Sequence, residues 1–274
     1  MRKALVVLSG GQDSTTCLFW AKKHFGEVHA LTFDYGQRHA VEIEAAMKVC
    51  ELAGVASHET LPIGSGILAS TSPLVNFGHS VAQYESAEVL PGGLEATFVP
   101  MRNALFLILA ANRAVALGCD TLVTGVCQED FGGYPDCRAR FIASAELMIN
   151  EALGTIHDSK HPDTCDDDCD HCGRAEGYIE IATPLMDLTK AESVALAGTL
   201  PGCFEALAFS HTCYNGHFPP CGHCHACLLR AKGFNAHGVV DPLVDRANSM
   251  PRTFGTVTGR FSSEGLGNIS EVEK

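Results

Sequence analysis

Two short stretches combine residue types and spacings that have chemical consequences. In the first, Ser9-Gly10-Gly11-Gln12-Asp13-Ser14 follows the apolar run Ala4-Leu5-Val6-Val7-Leu8 and leads into a helix-forming segment at 14–23. A strand that passes through two glycines into a helix start gathers unpaired backbone N–H groups and the positive end of the helix dipole at one spot. Such a spot binds phosphate. No Gly-Lys-Ser/Thr follows at Walker A spacing, so the loop is of another kind. The bland alternative is a turn in which the glycines serve only the chain reversal.

The second stretch is Cys213, Cys221, Cys224 and Cys227, spaced C-x7-C-x2-C-x2-C. Two residues between cysteines let both sulfurs face a common centre, as in zinc ribbons and knuckles. Pro219 and Pro220 stiffen the approach, and Gly222 permits a tight backbone. Four thiolates close a tetrahedral shell and leave no place for water, so the expected zinc is structural. His211, His217, His223 and His225 compete for a position, but four cysteines suffice. Reduced surface thiols are the alternative.

Around these lie three clusters at the carboxyl ends of predicted strands, where open parallel sheets bind ligands. They are residues 34–39, 98–103 and 125–138. Arg102 offers a planar fork of donors suited to phosphate. A cation at a helix start opposes the dipole, which an anionic ligand would explain. Lys190 opens another helix and invites the same reading, against a surface pair with Glu192 or Asp187. For Asp130 and Asp136 two readings stand. A carboxylate can accept both the N1–H and the exocyclic amine of a guanine-like ring, on which Tyr134 or Phe131 would stack. Alternatively, the segment is a solvated turn with Asp136 capping a helix at 138–153. Cys127 and Cys137 lie close by, and buried packing thiols are favoured over a covalent thiol route.

The elements that position these groups alternate. Strands are expected at 4–8, 28–33, 58–63, 121–126 and 178–182, and helices at 14–23, 40–53, 138–153 and 190–197. Between 103 and 118, Asn103 serves as N-cap and Gly118 as C-terminal stop of a helix so apolar that it should be buried. Alternation of this kind predicts an α/β fold, a Rossmann-like parallel sheet with helices on both faces, plus a small C-terminal four-cysteine zinc knuckle. Residues 64–97 read as a long loop over the site with a short helix. The domain division is 1–202 for the α/β part, with an acidic cysteine-bearing insertion at 158–177. Residues 203–238 form the zinc-binding subdomain and 239–274 a polar tail draped over the surface.

The 274 residues carry 19 Lys and Arg against 32 Asp and Glu, a formal charge of −13. That balance argues against a nucleic-acid substrate. The N-terminal apolar run is too short for a signal peptide, and no run approaches the roughly 20 residues that span a bilayer, so no membrane role is expected. Thirteen cysteines in a chain expected to be cytoplasmic suggest metal ligation or buried thiols rather than disulfides.

The glycine loop resembles the pyrophosphate loop of the N-type ATP pyrophosphatases. With Ser-Gly-Gly-Gln-Asp-Ser-Thr-Thr-Cys at 9–17, Thr-Phe-Asp-Tyr-Gly-Gln-Arg-His at 32–39, Gly-Tyr-Pro-Asp-Cys-Arg at 133–138 and Thr-Cys-Tyr-Asn-Gly at 212–216, residues 1–238 are similar to the 7-cyano-7-deazaguanine synthases of the queuosine pathway. The resemblance implies an ATP-dependent carbon–nitrogen ligase acting on 7-carboxy-7-deazaguanine and ammonia through an amide. It also implies one zinc per chain, magnesium with ATP, and a homodimer. Carried onto this chain, Leu8, Ser9, Gly10, Gly11, Gln12, Asp13, Ser14, Thr15, Thr16, Cys17 and Leu18 would hold ATP together with Arg102 and Asn103. Asp13, Arg102 and Lys190 would be catalytic. Asp130, Tyr134, Asp136 and Arg138 would orient the deazapurine, and the four cysteines would hold zinc.

Departures from the family pattern carry expectations of their own. Met101 stands where the family has glycine, which would bring a side chain near the phosphates. Gln128-Glu129 replaces a small polar pair. Cys165, Cys169 and Cys172, with His161 and His171, look like an insertion in which a solvated loop is favoured over a second metal. The rivals are a pyrophosphate-loop ligase or thiolase acting on tRNA, for which the acidic balance offers no basic track, and a non-catalytic zinc-knuckle binding protein, which leaves the glycine loop unexplained.

Overall fold

The computed structural model describes residues 2–90, 93–128, 133–156 and 176–250. Among them, five strands form one parallel sheet: β1 (Lys3–Val7), β2 (Glu27–Asp34), β3 (Ser57–Pro62), β4 (Thr121–Val123) and β5 (Glu180–Ala182). Their order is β3-β2-β1-β4-β5, so β1 is central, with Ala4 opposite Val28 on one side and Thr121 on the other. A central parallel strand is covered on both faces, which is why β1 reads as an unbroken apolar run.

The pleat divides that run between two cores. Ala4, Val6 and Leu8 join Val28, Ala30 and Val123 beneath α1 (Gln12–His24) and α2 (Val41–Ala53). Val194 and Ala197 of α5 (Lys190–Gly198) enter this core, as do Cys203, Ala206 and Leu207 of α6 (Cys203–Leu207) and Phe234 of α7 (His225–His237). Residues of the 203–238 segment thus share the hydrophobic core of the sheet. On the opposite face, Leu5, Leu31 and Leu122 meet α3 (Arg102–Leu117) and α4 (Ala139–Leu153).

Several expectations are corrected here. Asn103 is not the N-cap of α3. Met101 occupies that slot in the left-handed region, φ 64°, with no side-chain cap, and Asn103 lies inside the first turn. Nor is α3 buried all round. Leu107, Ala110, Ala111 and Ala114 face the sheet, while Ile108 and Val115 are 46% and 51% exposed, because the sheet covers only one side of the helix. Strand β4 ends at Val123, three residues earlier than expected, and the chain turns there into the site. The polar tail begins with a helix, α8 (Pro242–Ser249). Asp241 accepts from Leu243 N, Pro242 fills the first turn, and Leu243 is buried. Residues 251–274 and most of the 158–177 insertion, including Cys165, Cys169 and Cys172, lie outside the described residues. Within residues 64–97, the described part carries a single 3-10 turn at Ala87–Val89. No helix among the described residues is long and apolar enough to cross a membrane.

Candidate active site and cysteine cluster

The chain leaves β1 toward β2 on one side, and β4 returns on the other, so the strand order reverses between β1 and β4. Crevices at such a switch point, beyond the carboxyl ends of the strands, are where α/β sheets bind ligands. A cavity of about 260 Å³ opens there, lined by the loop after β1, Thr124 to Val126 after β4, the start of α3, and Thr212 and Tyr214 ahead of α7.

The loop after β1 is shaped for close backbone approach. Gly10 has φ +86°, and a Cβ there would sit 2.2 Å from the carbonyl oxygen of Glu42, so only glycine lets α2 pack against the loop. Gly125 is close-packed too, though less so, since a Cβ would meet the Asp13 carbonyl carbon at 3.0 Å. Gly11 is the N-cap of α1 and supplies no side-chain acceptor, which leaves the first-turn amides to a ligand or to neighbours. Ser9 Oγ accepts from Gly11 N at 3.2 Å, and Gln12 N donates to Thr212 Oγ1 at 3.4 Å.

Of the residues expected to hold ATP, Leu8, Ser9, Gly11, Gln12, Asp13, Ser14, Arg102 and Asn103 line the cavity. Gly10, Thr15, Thr16, Cys17 and Leu18 do not. The last four are at most 1% exposed inside α1, because a helix turns successive side chains away from a site at its end. Burial, with Asp13 nearby, pushes the Cys17 thiol well up, so it stays protonated.

The partner that the structure shows for Lys190 is distant in sequence. Its Nζ donates to Asp13 Oδ2 at 2.8 Å, across 177 residues of chain. Glu192 is engaged in a capping box with Thr189, and Asp187 accepts from Gln128 Nε2. The other Asp13 oxygen, Oδ1, is buried without a partner among the described residues. Arg102 has only a long contact, 3.5 Å from Nη1 to the Tyr35 hydroxyl, and no carboxylate forms an ion pair with it among the described residues. Burial works against its charge. The hydroxyls of Tyr35, Tyr214 and Tyr134 outweigh that, and its pKa is raised. A permanent cation therefore faces the glycine loop with its donors little used.

The residues expected to meet the ring are placed unevenly. Tyr134 lines the cavity, its ring against Phe98 at 5.4 Å and its hydroxyl donating to Glu95 Oε2 at 3.1 Å. Thr97 joins the same buried group, bonded to both Glu95 and Tyr134. Asp136 is buried but does not line the cavity. It caps nothing in α4, and instead its carboxylate accepts weakly from Asn103 N at 3.4 Å. Burial raises its pKa, with Arg102 opposing. Arg138 is exposed at the start of α4 and does not line the cavity. Asp130 lies outside the described residues, as do Glu129 and Phe131. Met101 is 69% exposed, so its side chain does not crowd the cavity. Its backbone is left-handed, φ 64°, a conformation that favours glycine. Cys127 is buried and donates to Leu188 O at 3.1 Å, as a packing thiol does. Cys137 lines the cavity and accepts from Asn103 Nδ2 at 3.4 Å.

Among the cavity residues to which sequence reasoning assigned no role are Tyr35, His39, Glu42, Thr212, Tyr214 and Arg230. Arg230 is the most telling. It is buried, grips Asp241 with two donors at 2.7 and 2.8 Å, and also reaches Ser210 Oγ, Thr212 Oγ1 and Leu207 O. It fastens the wall of the cavity to the helix behind the cysteines. An arginine beside cysteines gives no periodic signal; only the Asp241-Pro242 cap hinted at its partner.

The four cysteine sulfurs all lie within 4.8 Å of one another, with Cys221 and Cys227 at 3.9 Å. A tetrahedral zinc with bonds of about 2.3 Å requires sulfurs about 3.8 Å apart, so the donor set fits. Cys224 is the N-cap of α7. The amides of Cys221 and Cys224 point at Cys213 Sγ and Cys221 Sγ, at 3.5 and 3.4 Å. Donation from Cys224 and Cys227 holds the Cys213 pKa low. This cluster can bind a metal, and none of the competing histidines belongs to it.

Residues 3–238 match the family model described as queuosine biosynthesis protein QueC. A 7-cyano-7-deazaguanine synthase of Gloeobacter violaceus is 48% identical over 245 residues, covering 89% of this chain and 96% of that protein. Proteins of the same name from Chromobacterium violaceum and Laribacter hongkongensis are 47% and 46% identical, over 90% and 89% of this chain and 95% and 94% of theirs. By sequence over nearly its whole described length, the chain belongs to the QueC family of queuosine biosynthesis proteins.

Proposed function

We propose that the chain converts 7-carboxy-7-deazaguanine and ammonia, at the expense of ATP, to 7-cyano-7-deazaguanine. The observation that carries this is the convergence of the glycine loop, the Asp13–Lys190 pair and Arg102 on one cavity in a chain of this family.

A carboxylate is a poor electrophile, and ammonia cannot displace oxide from it. Transfer of a phosphoryl or adenylyl group to one carboxylate oxygen makes that oxygen a leaving group. The amides of residues 9–14 hold the phosphates, while Arg102 and Lys190 balance the charge that develops on the departing oxygen. Asp13 orients Lys190, and its unpartnered Oδ1 supports a magnesium contact. Ammonia then gives the amide. A second activation, of the amide oxygen, followed by its loss yields the nitrile. Tyr134 and Asn103 border the ring. Zinc on the four cysteines would fasten the segment that carries Thr212, Tyr214 and Arg230 to the cavity, with no open position for chemistry.

The domain division at 202 and 238 belongs to this reading, as does a cytoplasmic location, which ten cysteines outside any disulfide among the described residues support. So does a homodimer. Ile108 and Val115 on α3, and Leu147 and Met148 on the neighbouring α4, leave apolar side chains about half exposed, which a second subunit would cover. No nucleic-acid partner is part of it.

The test is incubation of the purified chain with ATP, magnesium, ammonium and the deazapurine acid, followed by mass spectrometry. The expected result is conversion of acid to amide to nitrile, with added tRNA unchanged. An untouched acid beside modified tRNA, or ATP that persists with no product, overturns the proposal.

A further inference from the structure

We propose that His39 is the base that takes the first proton from ammonium at this centre, with Glu42 as the positioning residue that holds its ring. The inference rests on the functional reading above. His39 closes the cluster after β2 and is 3% exposed, yet it lines the same cavity as the glycine loop. Its Nε2 lies 3.1 Å from Glu42 Oε2. An ionised carboxylate can only accept, so it draws the imidazole proton onto Nε2 and leaves a lone pair on Nδ1. That Nδ1 is buried and has no partner among the described residues. A buried acceptor without a donor is costly unless a ligand supplies one. An ammonium ion does.

The packing of Gly10 against the first turn of α2 keeps this pair beside the glycine loop. Arg38, the adjacent cation, is turned away and bonded to the carbonyls of Pro73 and His79, so it does not oppose a second cation at Nδ1. The Tyr214 ring lies 6.1 Å from that of His39.

The step balances. Ammonium gives one proton to Nδ1 of His39 and becomes ammonia. The freed lone pair forms the C–N bond at the activated carbonyl carbon. The C–O bond to the phosphorus-bearing oxygen breaks, and its electron pair leaves with that oxygen. The new C–NH3+ group loses its next proton to the departing phosphate oxygen, which leaves a neutral amide.

The test uses the full-length, metal-replete chain with His39→Gln, His39→Asn and Glu42→Gln, each first matched to wild type in melting temperature and metal content. Three readouts are taken: nitrile and amide formation from ammonium, transfer of 18O from the labelled acid to the phosphorus-containing product, and hydroxamate formation with hydroxylamine. Hydroxylamine is already unprotonated at neutral pH and needs no base for the first proton. The expected result for either His39 variant is an ammonium-dependent rate lower by about 100-fold or more, while hydroxamate formation, and the 18O transfer that accompanies it, persist. Glu42→Gln shows a smaller loss with the same pattern. Wild-type rates with ammonium in the His39 variants overturn the role. Equal losses in all three readouts also overturn it, because they mark a structural part. If His39→Gln does not fold, His39→Asn and Glu42→Gln carry the same outcomes. A wild type that transfers no 18O overturns the functional reading itself, and is distinguishable because it needs no variant.

Discussion

Helices α1 and α7 begin alike and end in different chemistry. Neither start has a side-chain cap: Gly11 stands at one and Cys224 at the other. Both therefore offer backbone amides to negative charge. At α7 that charge is built into the chain, as sulfurs within 4.8 Å of one another and mostly buried. At α1 it must come from outside, because the amides front a cavity and the glycines contribute no acceptor. On the proposed function, the same helix end serves a permanent anion in one place and an exchangeable one in the other. What separates them is whether neighbouring residues fill the space.

The comparison breaks first at the permanent end. Cys224→Ser should abolish metal binding and destabilise the chain by as much as about 10 kcal/mol, on the scale of structural zinc sites. Metal analysis with thermal melting would check this, and an unchanged melting temperature would leave the cysteines without a structural role. Next comes the bolt between the two ends. Arg230→Met strands Asp241 in a buried site and should cost about 3–5 kcal/mol. Denaturant titration measures the loss, and a change below about 1 kcal/mol would show that the two helix starts are independent. At the exchangeable end, Lys190→Met should lower activity by about 10²–10³-fold with little change in melting temperature, since the charge acts in the reaction. A large stability loss with modest kinetic effect would make the Asp13 pair structural. The smallest effect is at Met101. A left-handed non-glycine residue costs about 1–2 kcal/mol, and glycine costs about 0.4–1 through the unfolded chain. Met101→Gly should therefore stabilise the protein slightly, by about 0.5–1 kcal/mol, and leave activity unchanged, because the side chain points to solvent.

The two ends were not equally legible. Cysteine spacing encodes the cluster locally, and all four ligands sit within fifteen residues of chain. The glycine loop was readable for the same reason, since strand, glycines and helix are consecutive. Its depth was not. Thr15 to Leu18 look like part of the motif in a string of letters, yet the helical turn points them into the core. Asp136 and Arg138 looked alike in the sequence, and packing buried one and exposed the other. The same applies to α3, where an apolar composition could not say that only one face would be covered.

What the chain order alone determined is a parallel α/β sheet with a glycine turn at one strand end and a four-sulfur cluster at the start of a late helix. Period, glycine position and cysteine spacing are short-range properties, so they are written in neighbouring residues. What only tertiary structure decided is which distant groups meet: Lys190 with Asp13, Arg230 with Asp241 and Thr212, and a His39 ring nitrogen, without a partner among the described residues, with the cavity beside the loop. Those pairings depend on strand order and on how helices pack across the sheet, and no local pattern of residues records them.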